Sequence, residues 1–243
     1  MIKKAIVVMS AYNAAKTIHN VYNKIPHHLV SDIIVVDDFS KDDTVKICND
    51  LGLKTIVHNK NMGYGGNQKT CYENALKLEG DFIISLHPDD QYDPKDISRF
   101  IDKFNESNAD IIFGSRFLKY GHKETPFYKS ISIRIITFIY NLFLGTSLTE
   151  VNTGYRGYSR KALNSMPWKK NGNSYIFDPQ IIVQSVEFGL KIDEIAINKN
   201  YHRAASSPNF ITSLYHGIEN IYLIFLYLCH KLKIKKIYFL NFD

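Results

Sequence analysis

Short apolar runs alternate with segments of helical periodicity through the first half of the chain. Five strands are predicted there, at residues 5–9, 33–36, 55–57, 82–86 and 111–113. After the first, Ile18, Val21 and Tyr22 show the i, i+3, i+4 spacing of a helix with one buried face, and similar segments follow the later strands. This alternation is typical of parallel βαβ units. It predicts an α/β fold whose mostly parallel, doubly wound sheet is flanked by helices.

The second half of the chain carries longer apolar segments. Residues 131–144, with Arg134 among them, predict a helix that packs on the domain or rests on lipid. A further helix is expected to begin at Asp178, with this residue as its N-cap, and an edge strand is expected over residues 192–197. Apolar positions then predict an amphipathic helix from residue 211 to about residue 232.

The C-terminal segment combines apolar and basic residues. Four lysines between residues 231 and 236 follow the apolar residues 221–229. Basic residues beside an apolar helix suit the headgroup layer of an anionic membrane, although a solvated tail after a core helix has the same pattern. We therefore divide the chain into one α/β domain, residues 1–210, and a C-terminal amphipathic helix, residues 211–243, as a possible membrane-surface element.

Composition narrows the choice of partners and compartment. The 243 residues carry a formal net charge of +6, but the basic residues cluster beside apolar positions and do not alternate with aromatics, so we expect no nucleic-acid partner. The three cysteines lack any motif spacing, which fits a reducing compartment. Residues 5–9 are too short for a signal peptide, and no stretch is expected to reach the roughly 18–20 apolar residues of a membrane span. The sequence predicts a cytoplasmic protein, peripheral on the inner face of the cell membrane.

Two acidic clusters lie directly after predicted strands. Asp37 and Asp38 follow the second strand, and the sequence His-Pro-Asp-Asp-Gln at residues 87–91 follows the fourth. Ligands of open α/β sheets bind beyond the carboxyl ends of the strands, and carboxylates bind hard cations. The two clusters therefore predict one polar, metal-assisted ligand site, while a role as simple turn formers stays open for Asp90 and Asp93.

Seven short motifs occur in a definite order along the chain. They are Ala11-Tyr12-Asn13, Val35-Val36-Asp37-Asp38-Phe39-Ser40, Asn61-x-Gly63-Tyr64-Gly65-Gly66, His87-x-Asp89-x-Gln91, Gly114-Ser115-Arg116, Thr153-Gly154-Tyr155-Arg156 and Phe177-Asp178. With these motifs the chain resembles the inverting family 2 glycosyltransferases of GT-A fold, specifically the branch that includes dolichol-phosphate mannose synthases. The resemblance covers most of the chain.

The resemblance implies a binding site for a nucleotide-diphosphate sugar. Asp38 would hold the base or ribose, because a carboxylate accepts from the imide of uracil or from ribose hydroxyls. The glycine loop would let the chain pass close to the nucleotide. The implied donor-binding residues are Ser10, Ala11, Tyr12, Asn13, Asp37, Asp38, Asn61, Gly63, Gly66, Asp89, Arg116, Arg156 and Arg203.

The same resemblance implies a metal site after the fourth strand. Asp89 would be the main ligand of Mn²⁺ or Mg²⁺, with Gln91 beside it, and the cation would neutralise the departing diphosphate. The family usually has an acid where this chain has His87. An imidazole there lowers the negative charge of the site and either donates to a phosphate or ligates Mn²⁺.

Two further carboxylates are candidate bases, Asp178 and Glu150, and with Asp89 they complete the implied catalytic set. The implied reaction transfers a hexose, expected to be UDP-linked, to a lipid-linked or polysaccharide acceptor. A polyprenyl-phosphate hexose synthase is an alternative that needs no base, because its acceptor is already ionised. A sugar-nucleotide pyrophosphorylase and a non-catalytic nucleotide-sugar-binding protein are alternatives of other classes.

Overall fold

The computed structural model describes residues 4–118, 127–200 and 210–242. Its strands are β1 (Ala5–Ala11), β2 (Val30–Asp37), β3 (Lys54–Val57), β4 (Phe82–Ser85), β5 (Ile111–Ser115), β6 (Arg156–Ser159) and β7 (Ile192–Ala196). Its α-helices are α1 (Ile18–Lys24), α2 (Thr44–Asp50), α3 (Tyr64–Ala75), α4 (Ile97–Ser107), α5 (Phe127–Leu144), α6 (Arg160–Asn164), α7 (Phe177–Glu187) and α8 (Phe210–Lys231).

The strands form one sheet in the order β3-β2-β1-β4-β6-β5-β7. All neighbouring pairs are parallel except those of β6, which runs antiparallel to both β4 and β5. The predicted α/β class, mostly parallel sheet and edge strand β7 are confirmed. Because β6 is antiparallel, its start lies at the same edge of the sheet as the ends of β4, β5 and β7.

Strand β6 is the element that the sequence pattern does not indicate. Its four residues, Arg-Gly-Tyr-Ser, have neither an apolar run nor a clear alternation. The strand pairs on both sides, so its backbone hydrogen bonds stabilise it. Gly157 also lets α4 approach closely, since a methyl group there would lie 2.8 Å from Cε2 of Phe104.

Apolar side chains cover both faces of the sheet. Along β1, Ile6 and Val8 point into one buried cluster, whereas Val7 and Met9 point into the other. Helices α3, α6, α7 and α8 contribute to the first cluster, and α1 and α4 to the second. The fold is therefore doubly wound, as predicted.

The C-terminal segment packs onto the same core as the sheet. Leu223, Ile224 and Tyr227 of α8 are buried in the first cluster, and so are Phe239 and Leu240 beyond the helix. Helix α8 also packs against α5 and α7. The segment therefore contributes to the core of the α/β domain.

Among the residues that the structure describes, one helix has the length and hydropathy of a membrane span, namely α5. The sequence predicted no span, and a helix at residues 131–144 that packs on the domain or rests on lipid; α5 is longer than that prediction and apolar on average. One side of α5 packs inward through Ile133, Ile136 and Tyr140. Length and composition alone do not separate a spanning helix from one that packs on the domain.

The start of α7 differs from the sequence prediction. Helix α7 begins at Phe177, one residue before Asp178, whose carboxylate makes no capping bond. Helix α3 begins at Tyr64, because Gly63 supplies the N-cap with a φ of 78°, which favours glycine.

Candidate active site

A cavity of about 490 Å³ opens at the carboxyl edge of the sheet. Its lining comes from the segments after β4, β5 and β7, from the segment before β6, and from helices α5, α7 and α8. Ligands of open α/β sheets bind at this edge, so the cavity is the candidate active site. Its polar lining includes Tyr64, His87, Gln91, Tyr92, Arg116, Lys129, Asn152, Arg156, Asp178, Lys199, His216, Glu219 and Asn220.

Asp178 lies on the cavity wall in the first turn of α7. Its Oδ2 accepts a hydrogen bond from the Tyr64 hydroxyl at 2.8 Å. Its Oδ1 lies 3.7 Å from Nη1 of Arg156, and the side chain is 14% exposed. The N-cap role that the sequence predicted is wrong, since the carboxylate is directed to these two side chains and not to the helix backbone.

Tyr64 connects three elements of the site. Its hydroxyl donates to Asp178, accepts from Nε2 of Gln68 at 3.1 Å, and lies 3.4 Å from Nε2 of His87. Burial, with the charge of Asp178 as a lesser cause, raises the pKa of Tyr64 well above its usual value, so the phenol stays protonated at neutral pH. Sequence reasoning quoted this tyrosine only as part of the glycine motif.

The predicted metal-binding residues lie at the end of β4. His87 and Gln91 line the cavity, and Asp89 is half-buried beside them, with Oδ1 accepting from the backbone N–H of Gln91 at 3.2 Å. The imidazole of His87 packs against Gly154, where a methyl group would lie 2.5 Å from its Cε1. Burial lowers the pKa of His87, although Asp89 opposes this shift.

These residues fit a cation that is shared with substrate phosphates. Within residues 4–118, 127–200 and 210–242 no group of three or more His, Cys, Asp or Glu side chains forms a cation cage. Mg²⁺ usually keeps several waters and is held by one or two carboxylates together with phosphate oxygens. Asp89 provides such a carboxylate.

A basic wall faces the same cavity. Lys129 of α5 and Lys199 after β7 both line it, and so does Arg116 after β5. Burial lowers the pKa of Lys129, and the positive charges of Lys199 and Arg116 lower it further. Lys199 also donates to the hydroxyl of Tyr92 at 3.4 Å. Neither lysine was predicted as a site residue, since isolated lysines carry no motif.

The predicted phosphate clamp Arg116 and the predicted base Glu150 are partners of one another. Nε of Arg116 donates to Oε1 of Glu150 at 2.9 Å, and its backbone N–H donates to Oε2 at 2.8 Å. Glu150 is fully buried and does not line the cavity. Its carboxylate is thus held by Arg116 away from the space where a substrate would bind.

Arg156 is also buried, and its side chain holds backbone carbonyl groups of two segments in place. Its guanidinium donates to the carbonyl oxygens of Thr153 at 2.7 Å, Asp178 at 3.0 Å and Val151 at 3.2 Å. These bonds fix the segment before β6 against the first turn of α7. The third predicted arginine, Arg203, lies outside the described residues.

The predicted nucleotide-binding acids Asp37 and Asp38 are buried at the end of β2 and do not line the cavity. Asp38 accepts from the backbone N–H groups of Met62 at 2.7 Å and Gly63 at 3.0 Å, and its Oδ1 lies 2.8 Å from Nδ1 of His58. Asp37 accepts from the backbone N–H of Ser40 at 2.9 Å. Both carboxylates thus stabilise loops at the carboxyl edge of the sheet.

The remaining predicted nucleotide-binding residues lie around those loops. Ser10 and Ala11 end β1, Tyr12 is exposed, and Asn13 is tied to the segment after β2, because its backbone N–H donates to Oγ of Ser40 at 2.8 Å. Asn61 donates to the carbonyl oxygen of Asp38 at 3.3 Å.

The glycine loop packs against protein. The backbone N–H of Gly65 donates to the carbonyl oxygen of Asn173 at 2.8 Å. A methyl group on Gly63 would lie 2.6 Å from the same oxygen, and a methyl group on Gly66 would lie 2.9 Å from Cβ of Met62. The close approach in this structure is therefore to the segment before α7.

Comparison with known proteins places the chain in a family. Residues 6–166 match the model of Glycosyl transferase family 2. A UDP-N-acetylglucosamine–dolichyl-phosphate N-acetylglucosaminyltransferase of Methanococcus voltae is 28% identical over 217 residues, which cover 82% of this chain and 86% of that protein. The chain belongs to glycosyl transferase family 2 and is a glycosyltransferase, as the motifs predicted.

Solved structures agree on the fold. Glucosyl-3-phosphoglycerate synthase from Mycobacterium tuberculosis, in complex with Mn²⁺, UDP-glucose and phosphoglyceric acid, has a TM-score of 0.71 at 18% identity, over 93% of this chain and 79% of that chain. Its complex with Mg²⁺ and UDP has a TM-score of 0.68 at 17% identity, over 91% and 79% of the two chains. The GT-A fold is thereby confirmed.

Proposed function

We propose that this glycosyltransferase transfers a sugar from a UDP-sugar to a polyprenyl phosphate, with inversion and with the help of Mn²⁺ or Mg²⁺. The observation that carries the proposal is the composition of the cavity. Lys129 and Lys199 face a space that α5 lines with apolar side chains, including Ile133, Ile135 and Ile136. A basic site beside an apolar wall suits an acceptor that joins a phosphate to a hydrocarbon chain.

The basic wall contains three cationic side chains, Lys129, Lys199 and Arg116. Arg116 is compensated by Glu150, so its contribution to an anion site is small. Lys129 and Lys199 are cationic side chains in the lining of the cavity, and a phosphate monoester is an anion of opposite sign. The acceptor named for the Methanococcus voltae relative, dolichyl phosphate, is of this chemical class.

The donor end of the site is proposed at the His87-x-Asp89-x-Gln91 motif, as in the dolichol-phosphate mannose synthase branch. A divalent cation held there by Asp89 would neutralise the negative charge of the departing diphosphate. The structural neighbours of this chain, crystallised with UDP-glucose and Mn²⁺ or with UDP and Mg²⁺, support this choice of donor and cations.

The reaction needs one displacement. A phosphate oxygen of the acceptor attacks the anomeric carbon, the bond from that carbon to the diphosphate oxygen breaks, and UDP leaves with the bonding electrons. The acceptor oxygen is already ionised at neutral pH, so no residue has to remove a proton. Catalysis then depends on positioning and on charge stabilisation.

We also propose that the enzyme works at the inner face of the cell membrane. Helices α5 and α8 pack against one another and expose large apolar side chains, among them Phe138, Leu142, Ile218 and Phe225. The four lysines between residues 231 and 236 lie at the end of α8. Apolar side chains flanked by lysines favour an anionic bilayer surface, where a polyprenyl phosphate is found.

The test is a transfer assay in detergent with dolichyl phosphate, UDP-N-acetylglucosamine or UDP-glucose, and Mn²⁺, Mg²⁺ or EDTA. We expect a glycosylated lipid product that requires a divalent cation. Lys129→Gln and Lys199→Gln should each raise KM for dolichyl phosphate by roughly tenfold or more, because each removes a charge-assisted hydrogen bond, and KM for the UDP-sugar should stay unchanged.

Lys46→Gln is the matched control, since Lys46 is exposed on α2, outside the cavity. Transfer to a glycan hydroxyl with no transfer to dolichyl phosphate would overturn the proposal in favour of the hydroxyl-acceptor alternative. Equal effects of the three lysine substitutions would remove its structural basis.

A further inference from the structure

The acidic residue of the cavity has no proton to remove in the proposed reaction. Asp178 nevertheless lies on the cavity wall, and its side chain is held in one orientation by Tyr64. A carboxylate held beside a largely buried phenol costs free energy unless the other lone pairs of the carboxylate also accept hydrogen bonds. General-base catalysis therefore does not explain why Asp178 lies on the cavity wall in a fixed orientation.

Asp178 forms an ion pair with the buried guanidinium of Arg156, but this pairing leaves part of its hydrogen-bonding capacity unused. The carboxylate makes no capping bond to α7, and Arg156 already donates to three backbone carbonyl oxygens. The 3.7 Å between Nη1 of Arg156 and Oδ1 of Asp178 is too long for a hydrogen bond. Oδ1 therefore keeps its acceptor capacity for a donor group from within the cavity.

The position of Asp178 identifies the group that it would meet. The hydroxyl of Tyr64 lies between Asp178 and His87 of the metal motif. The ring of Tyr92 packs beside the same imidazole, with 5.8 Å between the ring centroids, and the hydroxyl of Tyr92 accepts a hydrogen bond from Lys199. The carboxylate thus lies beside the proposed diphosphate end of the site, within the cavity that also holds the proposed acceptor phosphate. In the proposed reaction the transferred sugar would lie between these two groups, and its hydroxyls are hydrogen-bond donors.

We infer that Asp178 binds a hydroxyl group of the transferred sugar and selects the donor, and that Tyr64 is the positioning residue that aims its carboxylate. The inference rests on the proposed function, in which the acceptor is an anion. The Tyr64 hydroxyl donates to Oδ2, so Oδ1 would be the oxygen that accepts from the sugar. A carboxylate that accepts from a hydroxyl favours a donor that carries this hydroxyl over an analogue that lacks it.

The test compares donors and not only variants. The probes are UDP-N-acetylglucosamine and UDP-glucose, each with its 3-, 4- and 6-deoxy analogue, and dolichyl phosphate is the acceptor. For the wild type, one deoxy analogue should have a kcat/KM roughly 10- to 150-fold below that of its parent, the loss expected for one hydrogen bond to a charged group.

In Asp178→Ala, kcat/KM for the parent donor should exceed that for this deoxy analogue by no more than about threefold. The corresponding ratios for the other analogues should stay the same. In Tyr64→Phe, which keeps the ring but not the hydroxyl, the same ratio should fall partly. A merely structural role would not move a ratio between two donors. Asp178→Asn, which keeps the side-chain shape, is the second variant should alanine prevent folding, and its ratio should also fall. Asp32→Asn, at the opposite end of β2, is the matched control.

Three results would overturn the inference. If Asp178→Ala slows all donors equally, Asp178 acts as a base or a structural residue. If the wild type shows no preference between a parent sugar and any deoxy analogue, no hydroxyl is recognised. A wild-type enzyme that is inactive with every UDP-sugar and dolichyl phosphate would overturn the proposed function as well, whereas an active enzyme with unchanged ratios would overturn this inference alone.

Discussion

The carboxylate of Asp38 accepts hydrogen bonds from the backbone N–H groups of Met62 and Gly63, at 2.7 and 3.0 Å. These bonds tie the end of β2 to the start of the glycine loop, directly before Tyr64. Nδ1 of His58 adds a third contact at 2.8 Å. Asp38 therefore holds the loop that carries Tyr64 in place, and its predicted contact with the nucleotide stays a prediction.

Replacing Asp38 by Ala should destabilise the protein. The substitution leaves two backbone N–H groups and a histidine without their acceptor, and we expect the free energy of unfolding to fall by about 2–4 kcal/mol. Urea unfolding followed by circular dichroism measures this, and UDP affinity by calorimetry is measured on the same sample. A loss of UDP binding with unchanged stability would instead support direct contact with the nucleotide.

The pairing of Glu150 with Arg116 makes a second prediction. Glu150→Gln breaks a buried ion pair and should cost on the order of 3 kcal/mol of unfolding free energy, because it leaves the guanidinium without its counter-charge. The double variant Arg116→Met, Glu150→Met should recover part of this loss in urea unfolding. If Glu150→Gln keeps full stability but loses at least a hundredfold in turnover, Glu150 is a base after all.

Gly65 is required by close packing against the segment before α7. A methyl group at this position would lie 2.8 Å from Cβ of Phe177, and it would meet the carbonyl oxygen of Gly172 more closely still. Gly65→Ala should therefore lower the unfolding free energy by roughly 1–3 kcal/mol, although alanine is the better helix former.

The control for this prediction is Gly217→Ala. Gly217 lies within α8, and a methyl group there would meet nothing within 4 Å. Its substitution should be neutral or stabilise by up to about 1 kcal/mol. Equal stability of the two variants would show that the glycine loop does not pack as described.

The sheet and most helices follow from local patterns that the sequence displays. Strands such as β1 and β4 are continuous apolar runs, and α4 has a regular apolar face, so burial alone predicts them. Strand β6 has no such pattern and depends on its two neighbours. Pairing between distant strands is a tertiary property, which is why the antiparallel strand was not predicted.

The site was predictable where its residues follow strands. His87 and Gln91, which come after β4, line the cavity. Asp178 lines it too, but it lies in the first turn of α7 and follows no strand. The contributions of Lys129 and Lys199 depend on how α5 and the segment after β7 pack, which no local pattern encodes. The pairing of Glu150 with Arg116 is likewise a long-range contact, between residues that each resemble a functional group in the sequence.

The buried cysteines predict a loss of stability at alkaline pH. Burial raises the pKa of Cys48 to about 11, and it raises the pKa of Cys71 further still. A thiol in the unfolded chain ionises near pH 8.5, so the unfolded state releases its proton first as the pH rises. The free energy of unfolding should therefore fall above about pH 8.5, by about 1.4 kcal/mol per pH unit for each buried thiol, up to the folded-state pKa.

Unfolding titrations between pH 7 and 10 measure this slope, and Cys48→Ala should make it shallower. The rates at which the three cysteines react with a thiol reagent give a second measurement of their burial. In the native protein Cys229, which is partly exposed, should react first, and Cys48 and Cys71 should react only after addition of denaturant. Rapid reaction of all three thiols in the native state would contradict the packing of α2 and α3.

The proposed membrane contact leads to a test on surface residues. Deleting the C-terminal segment would also remove Leu223, Ile224 and Tyr227 from the core, so loss of binding in such a variant would only report unfolding. Substitutions on the exposed side of the same helix avoid this. Ile218 and Phe225 are 60% and 58% exposed, and charges there are compatible with the folded state.

Ile218→Glu with Phe225→Glu should weaken binding to vesicles that contain phosphatidylglycerol by at least tenfold in a co-sedimentation assay, because two apolar anchors become anionic at an anionic surface. Changing the four lysines between residues 231 and 236 to Gln should weaken binding and reduce its dependence on salt, since exposed charges are screened within about 10 Å at 0.1 M salt. Val57→Glu is the control, because Val57 is 52% exposed on the edge strand β3. If the α8 variant binds the vesicles as tightly as the control, then the apolar side of α8 does not rest on lipid, and the acceptor must reach the cavity by another route.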